Sequence, residues 1–102
     1  MSITRLETGP RFSQAVCANG MVFLAGQVAM DTTLDTQGQA RQVLGSIDAL
    51  LAKAGSHKSK ILSATIYLAD IAEFGQMNQA WDAWLDPNAK PARATVQAAL
   101  VT

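Results

Sequence analysis

Ser13-Gln14-Ala15-Val16-Cys17-Ala18-Asn19-Gly20-Met21-Val22-Phe23-Leu24 is the stretch that decides the fold class. Two β-rich runs, residues 12–18 and 21–25, flank an Asn-Gly pair. A two-residue type I′ turn needs positive φ at both central positions, and Asn-Gly meets that need at little steric cost, so the stretch reads as a β-hairpin. Towards the N-terminus, residues 3–7 form a short strand candidate that Gly9-Pro10 stops.

Towards the C-terminus the chain loosens over residues 27–35, and then the hydrophobic period changes. Ala40, Val43, Leu44, Ile47, Leu50, Leu51 and Ala54 recur at the three/four spacing of one helical face. Asp35 or Thr36 can cap this helix, and Gly55 is placed to end it. Residues 61–68 read as a buried strand, with Leu62, Ala64, Ile66 and Leu68 on one face and Ile61, Ser63, Thr65 and Tyr67 on the other. Asp70 with Glu73 resembles a capping box, opening a second helix whose stripe is Phe74, Met77, Trp81, Trp84 and Leu85, with Pro87 near its end. Residues 94–101 alternate again. Ala94, Val96, Ala98 and Leu100 point one way, towards the expected core, and Arg93, Thr95 and Gln97 point the other way.

The resulting order, β-β-β-α-β-α-β, is that of an α+β domain. Each helix has one apolar stripe to bury, so the two should pack on one face of a mixed β-sheet, with right-handed crossovers. The other sheet face would carry Met21, Phe23, Ile61 and Tyr67, with no third helix to cover them. A symmetric oligomer is the simplest cover.

Composition fits this reading. A chain of 102 residues is one domain, residues 1–102. Hydrophobic residues make up 49% and charged residues only 16%, which is sparse charge for a monomer and favours apolar contact between subunits. Lys plus Arg total 8 and Asp plus Glu total 8, so the chain lacks the electrostatic footprint of a nucleic-acid partner. The basic run Lys53, His57, Lys58, Lys60 reads as a solvated loop. Cys17 is the only cysteine, so no intrachain disulfide forms, which fits a reducing cytoplasm. Neither an apolar leader nor a membrane-length stretch is expected.

Few residues stand out as chemical. One histidine, His57 in a polar turn, and one cysteine, Cys17 in an apolar run, do not make a zinc site, so no metal is expected. The Trp81–Trp84 pair has core spacing, and no basic groove accompanies it as a base-stacking platform would require. Arg93 begins an otherwise apolar strand after Lys90-Pro91-Ala92. It is either a strand-end residue in solvent or a bidentate fork for a carboxylate in a partly dry cleft. Asn78 lies within the apolar stripe of the second helix. A buried amide there must find partners, and a tie to loop backbone is expected.

Several blocks, in order, resemble the Rid family (YjgF/YER057c/UK114; reactive intermediate or imine deaminases). They are Gly9-Pro10-Arg11-Phe12-Ser13-Gln14-Ala15-Val16, Phe23-Leu24-Ala25-Gly26-Gln27-Val28, residues 58–70, residues 77–84, and Pro91-Ala92-Arg93-Ala94-Thr95-Val96. The resemblance implies a chorismate-mutase-like fold and a homotrimer with clefts between subunits. It also implies an arginine at the Arg93 position holding the substrate carboxylate, and no cofactor. The family activity it implies is hydrolysis of small 2-imino and 2-enamine acids, of the 2-aminoacrylate type, to 2-keto acids and ammonia. Arg93 is then the catalytic residue, and Phe12, Ala25, Gly26, Thr95 and Asn78 join it in binding substrate. The alternative is a non-catalytic module that senses small keto or amino acids in the same cleft.

Departures from the family pattern bear on the substrate. Phe12 stands where active deaminases carry Tyr, Ala25 where they carry Ser, and Thr95 where they often carry Cys. Family members also continue past Val101-Thr102 with a last strand bearing a glutamate thought to position the attacking water. The present sequence is therefore expected to be a piece of a longer chain.

Overall fold

The structure, a computed structural model, describes residues 2–102. Three antiparallel strands open it: β1 (Ile3–Thr8), β2 (Ser13–Ala18) and β3 (Met21–Leu24). The β2–β3 turn is the expected one, with Asn19 at φ 54° and Gly20 at φ 75°. Helix α1 (Thr36–Lys53) follows the loop. Of the two cap candidates Asp35 serves, its Oδ1 accepting from the Gly38 backbone N–H at 2.8 Å. Strand β4 (Ser63–Leu68), helix α2 (Phe74–Trp84) and strand β5 (Ala92–Gln97) complete the order β-β-β-α-β-α-β. β4 and β5 pair in parallel, so the described strands form a three-stranded antiparallel ladder and a two-stranded parallel one.

The core lies where both helices meet β4. Leu44 of α1, Leu68 of β4 and Met77, Ala80 and Trp81 of α2 are buried together, with Ala40, Ile47, Ala64, Ile66, Trp84 and Leu85 packed around them. Both helices thus cover the Ala64/Ile66/Leu68 face, as the apolar stripes required.

Several local expectations change. Residues 58–60 form a short 3-10 turn, and the strand begins at Ser63, so Leu62 is 71% exposed and does not share the core face. Asp70 caps a 3-10 turn over Ile71–Glu73 by accepting from the Ala72 N–H at 2.9 Å. Glu73 does not reciprocate; it accepts from Gln76 Nε2 at 2.8 Å, so there is no capping box. Lys58 is not a solvated loop residue. Its Nζ donates to the Trp84 carbonyl at 2.6 Å and lies 5.2 Å from that ring's centroid, satisfying a carbonyl that the end of α2 leaves unpaired. Lys53 pairs with Glu7 at 3.3 Å, tying the end of α1 to β1.

The largest correction concerns β5. In the parallel register Arg93 lies beside Ala64, Thr95 beside Ile66 and Gln97 beside Leu68. Neighbours across a ladder share a face, so Arg93, Thr95 and Gln97 face the helices. Ala94 and Val96, expected in the core, face outward, and Val96 is 40% exposed. Gln97 Oε1 accepts from the Ile71 N–H at 2.9 Å, fixing the approach to α2.

The molecule is a thin slab of 43 × 36 × 19 Å. Its uncovered face carries Met21, Phe23, Tyr67 and Val96, all exposed, whereas Ile61, expected among them, is half-buried. A compact monomer of 10.8 kDa exposes about 5,500 Å² by the usual size scaling. This chain exposes 6810 Å², an excess of about 1,300 Å² over that scaling.

Candidate functional site

Arg93 anchors the site. The backbone before it is pinned by Ala92 N–H donating to the Leu62 carbonyl at 3.0 Å. The side chain crosses to α2, where Phe74, Asn78 and Trp81 stand at i, i+4 and i+7 on one helical face. Arg93 Nη1 donates to Asn78 Oδ1 at 2.8 Å. The guanidinium carbon lies 5.1 Å from the Trp81 ring centroid and 5.7 Å from that of Phe74, both within cation–π range. Trp81 is buried in the core and Phe74 is 40% exposed, so the cation sits between the interior and the surface. No other hydrogen bond from this guanidinium is made among the described residues. Asn78 therefore finds its partner in Arg93, not in loop backbone. An arginine can only donate, which fixes the amide oxygen as the acceptor.

Thr95 lies two residues along the same face. Its Oγ1 is buried with no hydrogen-bond partner among the described residues, so the hydroxyl is shut away within the chain.

Phe12, Ala25 and Gly26 gather elsewhere, at the start of β2. Phe12 is 58% exposed in the β1–β2 turn, which closes with the Gly9 N–H donating to the Phe12 carbonyl at 2.9 Å. It lines an open hollow of about 240 Å³ together with Glu7, Arg11 and Gln14. Gln14 organises the neighbourhood. Its carbonyl accepts from the Ala25 N–H at 2.9 Å, and its side-chain oxygen accepts from Gln27 Nε2 at 2.9 Å. The same Gln27 nitrogen donates to the Ala25 carbonyl at 3.1 Å, holding the segment that leads to Gly26. Glu7, on the rim of the hollow, has φ 49°. The left-handed region costs a residue with a Cβ about 1–2 kcal/mol.

The chain thus brings Arg93 and Asn78 into contact, with Thr95 nearby on the strand, while Phe12, Ala25 and Gly26 form a second group. No described hydrogen bond or ring contact joins the two groups within one chain. Sequence reasoning missed Phe74 and Trp81 as partners of Arg93, although their spacing from Asn78 was available. It also missed the Gln14–Gln27 pair, for which the sequence carries no local signal. His57 is an exposed turn residue whose Nδ1 accepts from the Ser59 N–H at 3.1 Å.

Both the sequence and the fold have known relatives. The family model described as Endoribonuclease L-PSP matches residues 2–102. A RutC family protein of Haemophilus ducreyi is 47% identical over 98 residues, covering 96% of this chain and 84% of that protein. The RutC family protein YoaB of Escherichia coli is 44% identical over 101 residues, covering 99% and 88%. Among solved structures, NMB1025 of Neisseria meningitidis, a member of the YjgF protein family, superposes with a TM-score of 0.96 at 43% identity, covering 100% of this chain and 85% of its own. Shared blocks, shared fold and near-complete coverage lead to one conclusion: the chain belongs to the YjgF/RutC family, the Rid family, which the Endoribonuclease L-PSP model describes.

Proposed function

We propose that the protein hydrolyses small 2-imino and 2-enamine acids to 2-keto acids and ammonia, in a cleft between subunits of a homotrimer. The observation that carries this reading is Arg93, a guanidinium fixed by Asn78 and Trp81 with donors still uncommitted. Such a fork suits a carboxylate held by two parallel hydrogen bonds. An imine carbon is already electrophilic. Water adds across C=N, the carbinolamine loses ammonia, and a ketone remains. The protein has to orient the acid and stabilise charge as it shifts. Phe12, Ala25 and Gly26 make no described hydrogen bond or ring contact with Arg93, and a cleft that takes one group from each of two subunits would reunite them. The bare apolar face and the excess surface support such an assembly, since stable interfaces remove roughly 800 Å² per partner.

Cleavage of RNA fits less well, because a net charge of zero offers little to a phosphate backbone. No helix among the described residues is long and apolar enough to cross a membrane. The proposed setting is the cytoplasm, where a lone cysteine stays reduced.

A second reading, a non-catalytic sensor of small keto or amino acids, draws on a specific observation. The groups that contact Arg93 are an amide and two aromatic rings, none of which takes a proton from water. The test is 2-keto acid release from a freshly generated imine, run beside calorimetric titration of pyruvate. Turnover that disappears in Arg93→Ala supports the deaminase, and binding without turnover selects the sensor. Arg93→Ala should weaken binding by about one to two powers of ten, from hydrogen bonds to charge of roughly 1.5–3 kcal/mol. Arg93→Lys should recover only part of it. Sedimentation should find Arg93→Ala still trimeric.

A further inference from the structure

The contacts around Arg93 assign a task to residues that the ligand need not touch. We infer that Asn78 and Trp81 are positioning residues: they limit the tilt and rotation of the Arg93 guanidinium before any ligand arrives, and Asn78 acts through Arg93. This rests on the reading of Arg93 as the carboxylate clamp.

A free arginine side chain rotates about every bond of its stem and loses that freedom when a two-pronged hydrogen bond forms. Here much of the loss has already occurred. Trp81 is a rigid shelf, since it is 7% exposed within the core cluster and braced by Trp84, whose ring centroid is 5.6 Å away. The guanidinium carbon lies 5.1 Å from the centroid of that ring, so the shelf limits how far the guanidinium can tilt. The Asn78 oxygen, 2.8 Å from Nη1, sets its rotation within the plane. Asn78 sits on α2 between Phe74 and Trp81, so the helix that builds the core also aims the cation. A fork ordered in advance loses less entropy on binding, and its N–H groups diverge less from a planar carboxylate.

The experiment is calorimetric titration of pyruvate into wild type, Asn78→Ala, Asn78→Gln, Arg93→Ala and the Asn78→Ala/Arg93→Ala double variant. It is paired with ¹⁵N spectra of the Arg93 guanidinium. The expected result is binding about tenfold weaker in Asn78→Ala, the scale of a misaimed contact. Partial recovery is expected in Asn78→Gln, which keeps a neutral amide acceptor, and no further loss in the double variant beyond Arg93→Ala. The Nη signals, distinct in wild type, should average in Asn78→Ala. Asn78→Leu, of similar volume and without an acceptor, replaces Asn78→Ala if that variant does not fold. Unchanged binding in Asn78→Ala, with loss in Arg93→Ala, overturns the inference and leaves the clamp standing. A double variant weaker than Arg93→Ala by the full Asn78 factor also overturns it, since Asn78 would then touch the ligand itself. Wild-type affinity in Arg93→Ala, or no pyruvate binding by wild type, removes the clamp and this inference with it.

Discussion

The β4–β5 half is a parallel ladder and the β1–β3 half an antiparallel one, and the two are finished very differently. The parallel pair has its inner face filled by α1 and α2, and the buried cluster from Leu44 to Trp81 lies there. The antiparallel sheet contributes Ala15, fully buried, while its partner strand leaves Phe23 56% exposed and Met21 44% exposed. One half is held by packing within the chain. The other is held by its turns, its ladder and contact with α1, and leaves Met21 and Phe23 in water. The polar groups follow the same division. Arg93 and Asn78 are locked onto a packed helix, whereas Phe12, Ala25 and Gly26 lie on turns and loop tied by glutamine amides.

Breaking the packed half should have the largest effect. Trp81→Ala removes a buried aromatic and the shelf under Arg93, and should destabilise by about 3–5 kcal/mol in a urea melt, with loss of carboxylate binding. The equivalent cut in the open half, Phe23→Ala, should cost less than about 1 kcal/mol in the dissociated chain, because more than half of that side chain is already exposed. Under the proposed trimer, its effect should appear in sedimentation, as a shift towards monomer. A large monomer destabilisation by Phe23→Ala would erase the contrast between the halves. Asn78→Ala should fall between them, at about 1–3 kcal/mol, for a charged donor deprived of its partner.

Smaller changes sharpen the contrast. Thr95→Val replaces a buried hydroxyl that has no partner with a methyl of similar shape. Stability should hold or rise slightly, as expected when an unpaired polar group is removed. A clear fall in melting temperature would mean that the hydroxyl has a partner in the assembled protein. Phe12→Tyr should leave the melt unchanged, because the ring is exposed, and should shift turnover among imines of different side chain. Identical kinetics for several imines would remove Phe12 from the site.

What the sequence revealed about each half follows from how local its signals are. Asn19-Gly20 determines its own turn, and the α1 stripe repeats within a few residues, so both were legible. The orientation of β5 was not. Ala94 and Val96 look like core positions and Arg93 like a surface one. The parallel register with β4, set far away in sequence, reverses that order by placing Arg93 beside Ala64. The small Ala64 and the aromatic face of α2 then accept a guanidinium where an aliphatic side chain was expected. Asn78 was legible as an anomaly in an apolar stripe. Its partner was not, because finding it required the same register.

The 19 Å thickness of the slab has a consequence for how the protein should be handled. Two layers can hide only one face of each ladder, so in the proposed assembly part of the free energy of folding is deferred to association. Under the proposed trimer, the melting temperature becomes a function of dilution, as mass action requires of any fold whose partners bind only the native form. Single-molecule work at picomolar concentration and crystallography at millimolar concentration would then sample chains of different apparent stability with the same covalent structure.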